Sequence, residues 1–471
     1  MSRSLAFCYL SVMSLKQPAS LFLALLLACS PLLAVPHPPS PAPRYSKASP
    51  VSLTKDGRRW AAQTLKKLTL EEKIGQMLSV RYFMDFENFD SDTYRQFREQ
   101  MQKYHIGSVV LTVHVEGALL LKNPPLEAAA MANRLQRDSK LPLLIAADFE
   151  RGLATRMNSV PIFPDAMAFG ATGNLAYAER FGAIAAEESR AVGIHWDFFP
   201  IADVNSNPAN PIINTRSYGE DPAAVGDFAA AFIRGARAHG MLTTAKHFPG
   251  HGDTGADSHL GVARVNGDLA RLQSVELPPF RKAIAAGADA VMVAHVAVPA
   301  LEPDANKVAT ISANVIGGTL RRDLGFQGLV VTDALEMKGL INLYPVIPGS
   351  SEPGSPNRPQ LPGRGEAGPP DRPGLPGRGG MLGNPAGHAA IDAVKAGNDM
   401  LLLPSDLDGA YRGLLAAVRS GELTVARIDQ SVRRILEAKA SVGLYDARAR
   451  LVDLDQVSYR VSKQQDMEFA Q

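Results

Sequence analysis

One stretch of the chain is dense in groups that could do chemistry: Lys246-His247-Phe248-Pro249-Gly250-His251-Gly252-Asp253-Thr254-Gly255-Ala256-Asp257-Ser258-His259. An apolar run, Met241-Leu242-Thr243-Thr244-Ala245, leads into it and reads as a strand leaving the core. Three glycines and one proline make the segment beyond that strand a loop, and the loop carries further Asp and His side chains forward. Loops gain little stability from titratable groups, so their concentration here points to function. Two chemistries suit the residue types. An imidazole beside a carboxylate can pass protons, and His247, His251, Asp253, Asp257 and His259 also include zinc-type ligands. A solvated polar loop would need neither.

Side chains of this kind need rigid elements to aim them. Short runs that are apolar throughout recur at 77–83, 106–111, 143–147, 194–201, 241–246, 290–294, 328–332 and 399–403. Helical patterns separate or succeed them at 126–137, 176–192, 222–239, 275–287, 312–324, 389–396, 406–419 and 425–441. Strands without a polar face belong to a parallel sheet covered on both sides. Eight of them alternating with helices predict an α/β fold, a single catalytic (β/α)8 TIM barrel over residues 51–448. A doubly wound open sheet is the alternative, but no Gly-rich dinucleotide fingerprint comes after the first strand. Strand after strand ends in a polar group: Asp148, Asp203, Lys246-His247, His295, Asp333. In a barrel these gather on the C-terminal face, where active sites are built. Each alone could be a helix cap or a solvated edge.

The chain has 471 residues, with 49 Lys and Arg against 47 Asp and Glu, a net charge of +2. So small a charge gives no electrostatic reason to expect nucleic acid or an anionic membrane surface as partner. The two cysteines, Cys8 and Cys29, both fall in the first 35 residues, so the rest has no disulfide, thiolate nucleophile or Cys-ligated metal. Residues 1–35 read as an export signal, with Lys16 ahead of the apolar run Leu21-Phe22-Leu23-Ala24-Leu25-Leu26-Leu27-Ala28. Leu26-Leu27-Ala28-Cys29 is similar to a bacterial lipoprotein box, which would place a lipid on Cys29 and attach the protein to a membrane; simple secretion is the alternative. Residues 36–50 are a Pro-rich tether. Residues 345–387 form a Pro-, Gly- and Arg-rich insertion, with Arg358-Pro359-Gln360-Leu361-Pro362-Gly363-Arg364-Gly365 echoed at 372–379, and cannot bury a core. A lid over the catalytic face and a slipped duplication in a surface loop are both open readings. Residues 449–471 are expected to be a frayed tail or the stub of a connector.

The loop motif, Lys246-His247-Phe248-Pro249-Gly250-His251-Gly252 and then Asp257-Ser258-His259, resembles the signature of family 3 glycoside hydrolases of the β-N-acetylhexosaminidase (NagZ-like) branch. The resemblance runs from about residue 60 to 445. It includes Asn210-Pro211-Ile212-Ile213-Asn214-Thr215-Arg216-Ser217-Tyr218-Gly219-Glu220-Asp221-Pro222 and Gly325-Phe326-Gln327-Gly328-Leu329-Val330-Val331-Thr332-Asp333-Ala334-Leu335-Glu336-Met337. It implies a retaining mechanism in which Asp333 is the nucleophile and His259 the general acid/base, oriented and kept protonated by Asp257 two residues earlier on an extended loop. Asp148, Arg156, Arg216, Lys246 and His247 match the groups that hold sugar hydroxyls, although Arg216 and Lys246 could instead pair with Asp203 or Asp148. No metal and no cofactor is implied.

One departure stands in Asp148-Phe149-Glu150-Arg151-Gly152, where Arg151 replaces a glycine of the family pattern. The activity expected is an exported exo-β-N-acetylglucosaminidase acting on peptidoglycan or chitin fragments. A β-glucosidase, a phosphorylase, a metal-dependent hydrolase and a non-catalytic sugar-binding lipoprotein are the alternatives.

Overall fold

The apolar runs become strands β1 (Leu78–Phe83), β2 (Ser108–Thr112), β3 (Leu144–Ala147), β4 (Trp196–Asp197), β5 (Leu242–Phe248), β6 (Ala290–Val293), β7 (Leu329–Thr332) and β8 (Leu401–Leu402). This computed structural model describes residues 48–84, 87–116, 119–344 and 384–471, so the expected leader, most of the tether, and insertion residues 345–383 lie outside the described residues. The described residues form one compact unit.

Neighbouring strands pair in parallel in chain order, β1 with β2 through β6 with β7, and β1 also pairs β8. A parallel bridge between Val331 and Met400 brings β7 to the edge of β8 and closes a (β/α)8 barrel, which an open doubly wound sheet would not do. β3, β5, β6 and β7 are buried along their whole length. Each Val, Leu or Ile so buried contributes roughly 1.5–3 kcal/mol, which is why β3, β6 and β7 are apolar almost throughout, whereas β5 also buries Thr243, Thr244, Lys246 and His247.

At the closure Asp399, fully buried, accepts from the Val330 N–H at 3.1 Å, Ser431 Oγ at 2.7 Å, Arg321 Nη2 at 2.6 Å and Arg434 Nη1 at 3.0 Å.

Helices cover the outside. Leu175–Ala191 packs on Pro222–Ala238, and the latter starts where Asp221 accepts from the Ala224 N–H, with Pro222 in the first turn. The Asp-Pro that ends the second family motif is thus a helix start.

Three expectations change. β4 is shorter than 194–201, because Pro200 has no N–H to continue a ladder, although Ile201 bridges Lys246 beyond it. The helix expected from 389 begins at Pro385, capped by Asn384, so the last residues of the expected insertion are helical. The tail is not frayed. Asn133 and Val452 exchange two hydrogen bonds of 2.8 Å, and the helix Gln464–Ala470 sets Phe469 against Tyr177 with Arg180 over its ring, since apolar burial outweighs the cost of ordering the segment. Among the described residues no helix is long and apolar enough to cross a membrane.

Candidate active site

The polar strand ends gather at the barrel mouth in three linked groups. In the first, Lys246 on β5 reaches across to the loop after β3. Its Nζ lies 3.1 Å from Asp148 Oδ1 and 2.9 Å from Glu150 Oε1. Arg156 Nη2 holds the other oxygen of Asp148 at 3.0 Å. Arg216 grips Glu150 with both Nε and Nη2 at 2.8 Å and donates to the Ile212 carbonyl at 2.9 Å.

Burial works against the charge on Lys246, but Glu150 and Asp148 outweigh it and keep the ammonium protonated. Burial likewise opposes ionisation of Asp148, and Lys246 and Arg156 more than offset it. The result is a frame of paired donors and acceptors of the kind that fixes a polyol ring. Beneath it, the buried Asp197 accepts from the Phe149 N–H at 3.0 Å; burial, reinforced by Asp148 and Glu150 nearby, pushes its carboxyl well above the usual range.

The second group centres on Asp203, fully buried after β4. It accepts from His247 Nδ1 at 2.7 Å and from the backbone N–H groups of His247 and His251, the latter at 2.7 Å. His247 is thereby fixed in aim, its ring held edge-on to that of His251.

The third group joins Asp333 to the loop after β5. Asp333 comes directly after β7 and accepts from the Ala334 N–H at 2.8 Å. Burial opposes its ionisation, but His247, His295, the Ala334 N–H and His259 together hold its carboxyl below the usual range. His295 is itself locked, Nδ1 to Thr310 Oγ1 at 2.7 Å and Nε2 to the Ala334 carbonyl at 2.9 Å. His259 stands at the mouth with its side chain 56% exposed and Nδ1 2.7 Å from Asp257 Oδ1.

The same Asp257 oxygen accepts the His259 N–H at 2.8 Å, and Leu260 and Gly261 donate to the Asp257 carbonyl. The pair therefore sits on a tight turn closed by the Asp257 side chain, not on the extended loop that its i, i+2 spacing suggests; a short carboxylate folds back on the backbone two residues on.

All eight candidate residues thus line one face; Lys246 pairs with Asp148, as the sequence allowed, and with Glu150, while Arg216 pairs with Glu150, and neither pairs with Asp203. Glu150 and Asp197 escaped the sequence reading. The signal for Glu150 was its place two residues after Asp148; for Asp197, buried within a strand, no signal separated it from a core polar residue. Among the described residues no three His, Cys, Asp or Glu side chains gather as a metal-holding set, and the loop imidazoles turn instead to hydroxyl and carboxylate partners. Arg151 is turned to the rim, with Nε 3.8 Å from Asp165. Cavities of 380 Å³ near Gln76 and His105 and of 660 Å³ beside Phe469 lie elsewhere, and no candidate residue lines either.

Fold and site together define a (β/α)8 barrel whose C-terminal face combines a frame of paired cations and carboxylates with a carboxylate set among imidazoles. Residues 69–348 match the glycosyl hydrolase family 3 N terminal domain, and the chain belongs to that family. A β-N-acetylglucosaminidase/β-glucosidase of Cellulomonas fimi is 32% identical over 413 residues, 84% of this chain and 62% of that protein. A β-hexosaminidase of Stenotrophomonas maltophilia (strain K279a) is 40% identical over 203 residues, 42% of this chain and 59% of that one. Among solved structures, a family 3 β-N-acetylglucosaminidase from Paenibacillus sp. str. FPU-7 superposes with a TM-score of 0.69 at 34% identity, covering 86% of this chain and 68% of that chain. A β-glucoside phosphorylase bound to 2FGlc gives a TM-score of 0.73 at 27% identity, covering 90% and 67%. The chain spans less than two thirds of the length of these first two relatives.

Proposed function

We propose that the chain is a retaining exo-β-N-acetylglucosaminidase that removes terminal β-linked N-acetylhexosamine from peptidoglycan or chitin-type fragments. An Asp333 oxygen attacks the anomeric carbon while His259 gives a proton to the departing glycosidic oxygen. The neutral imidazole then takes a proton from water, whose oxygen displaces Asp333 and frees the sugar. Asp148, Arg156, Arg216, Lys246 and His247 hold the ring, and Asp257 aims the imidazole.

The observation that carries this reading is the 2.7 Å Asp257–His259 pair, whose imidazole is near enough to help stabilise the Asp333 carboxylate. The Paenibacillus β-N-acetylglucosaminidase and the hexosaminidase support the choice of sugar, while the Cellulomonas fimi relative is named for both β-N-acetylglucosaminidase and β-glucosidase. The test compares kcat/KM on aryl β-N-acetylglucosaminide and aryl β-glucoside; a marked preference for the glucoside overturns the substrate assignment.

A phosphorylase is the second reading, favoured by the similarity to a β-glucoside phosphorylase and by the fact that a histidine base does not repel an incoming phosphate as a carboxylate would. Sugar 1-phosphate formed in phosphate buffer, in place of free sugar, would establish it. Export through residues 1–35, with a lipid on Cys29, is proposed from sequence alone. Cys29→Ser is expected to move the protein from the membrane to the soluble fraction, and unchanged fractionation rejects the anchor.

A further inference from the structure

Between Asp257 and His259 lies a residue to which the proposed mechanism gives no part. Ser258 is buried, 2% exposed, although the imidazole beside it stands mostly in the open. Its two polar groups run in different directions. The hydroxyl meets His251 Nε2 at 3.0 Å, and the backbone carbonyl accepts the Gly339 N–H at 3.1 Å. His251 sits just past β5 and is anchored below by its own N–H to Asp203. Gly339 belongs to the short helix Lys338–Ile341, which leads on from Asp333 at the end of β7. Ser258 thus ties the acid/base turn both to the strand end that carries the sugar-binding His247 and to the segment that carries the nucleophile.

A hydrogen-bond chain runs on behind Ser258. Thr254 Oγ1 lies 2.6 Å from His251 Nδ1 and 2.9 Å from the His251 carbonyl. Burial, with His247 adding to it, disfavours the imidazolium of His251 against the opposing pull of Asp203 and Asp333. A neutral ring has one donor and one acceptor nitrogen, and the two hydroxyls of Thr254 and Ser258 satisfy both. Asn210 braces the same corner, donating to the His251 and Gly252 carbonyls at 2.8 and 3.1 Å.

The contact with Gly339 is equally specific. A Cβ there would lie 2.7 Å from the Ser258 carbonyl oxygen, 2.9 Å from that of Gly261 and 3.3 Å from that of His295. All three obstacles are backbone, which cannot swing aside as a side chain can.

We infer that Ser258, held between His251 and Gly339, is a positioning residue that sets the reach and aim of the Asp257–His259 pair relative to Asp333. The inference rests on His259 as acid and Asp333 as nucleophile. Proton donation to a leaving oxygen tolerates little error, since a misplacement of about 1 Å can cost on the order of a hundredfold. An exposed turn without such ties would not hold that tolerance.

The test uses the whole chain with Ser258→Ala, Gly339→Ala and, for reference, His259→Ala. kcat/KM is measured on two β-N-acetylglucosaminides: a dinitrophenyl glycoside, whose leaving group departs unprotonated, and chitobiose, whose leaving group needs the proton. Ser258→Ala is expected to lose roughly tenfold to a hundredfold on chitobiose and less than about threefold on the dinitrophenyl glycoside. Gly339→Ala is expected to show the same split, at least as large. If His259→Ala discriminates between the substrates while both clamp variants lose equally on the two, or lose on neither, the positioning role is overturned alone. If His259→Ala itself loses equally on both, the acid assignment falls and the clamp falls with it.

Discussion

Glu150 is the side chain on which Lys246 and Arg216, the cations proposed to hold the sugar, converge, and Arg216 is its tightest partner. The guanidinium makes three bonds in a fixed plane, two to Glu150 and one to Ile212, and a lysine could make only one or two of them. Arg216→Lys is therefore expected to raise KM by roughly tenfold or more, since each charge-assisted bond is worth about 1.5–3 kcal/mol, with kcat changed far less. Initial-rate kinetics separate the two parameters, and an unchanged KM would show that the fork does not shape the sugar site.

Asp333 carries a different prediction. Burial alone would make it a weak nucleophile, and His247 is the largest of the influences that reverse this. Taking His247 away as His247→Gln lets the Asp333 carboxyl rise, so the acidic limb of kcat/KM is expected to move to higher pH. A limb that stays in place would assign it to another group. Asp333→Asn is expected to cut turnover by roughly a thousandfold or more while leaving the thermal midpoint nearly unchanged.

At the scale of elements, the C-terminal segment is held to the helix Leu175–Ala191 through a buried carboxyl. Glu188 Oε1 accepts the Ser462 N–H at 2.7 Å, and Oε2 is buried without a partner. Burial, helped by Asp466 and Glu187 and opposed by the Ser462 N–H and Lys463, raises Glu188 from 4.5 to about 7. A raised carboxyl means that the fold prefers the protonated form. Its contribution is complete below about pH 4.5, the unfolded value, and is lost as pH rises through about 7. Glu188→Gln, neutral at every pH, is expected to remove this slope and to gain about 2–3 kcal/mol at alkaline pH. Urea midpoints on the acid and alkaline sides of the transition measure it; parallel curves for the two proteins would refute the linkage.

For the molecule as a whole, the barrel closes at the seam where β8 meets β7. Strand β8 is two residues long, and besides the bridge at Val331 and Met400 the seam carries backbone bonds from Thr332 to Met400, from Asp399 and Met400 to Val330 and from Leu335 to Leu402. Asp399, with Arg321, Arg434 and Ser431 upon it, adds side-chain ties and joins the helix Val425–Ser441 to the seam. Asp399→Ala strands buried guanidinium groups and is expected to cost on the order of 3–5 kcal/mol. Denaturant unfolding measures this, and a loss below about 1 kcal/mol would mean that the seam holds without it.

Much of this architecture was readable along the chain. Eight apolar runs without a polar face can be stable only when covered on both sides, and polar residues at the end of run after run can be reconciled with burial only at one barrel rim. That logic is local, and so the strands, the face and Asp148, Lys246, His247 and Asp333 were within its reach, while Asp257 and His259 stood out as titratable groups on a Gly-rich loop and took their expected roles from the family motif. Pairings across the barrel were not. Glu150 lies 66 residues from Arg216, and Ser258 faces a glycine 81 residues on, at spacings that carry no periodic signal. Which cation meets which carboxylate, and where two backbones press too close for a Cβ, depend on strands separated in the chain being brought side by side. Those contacts exist only once the barrel has closed.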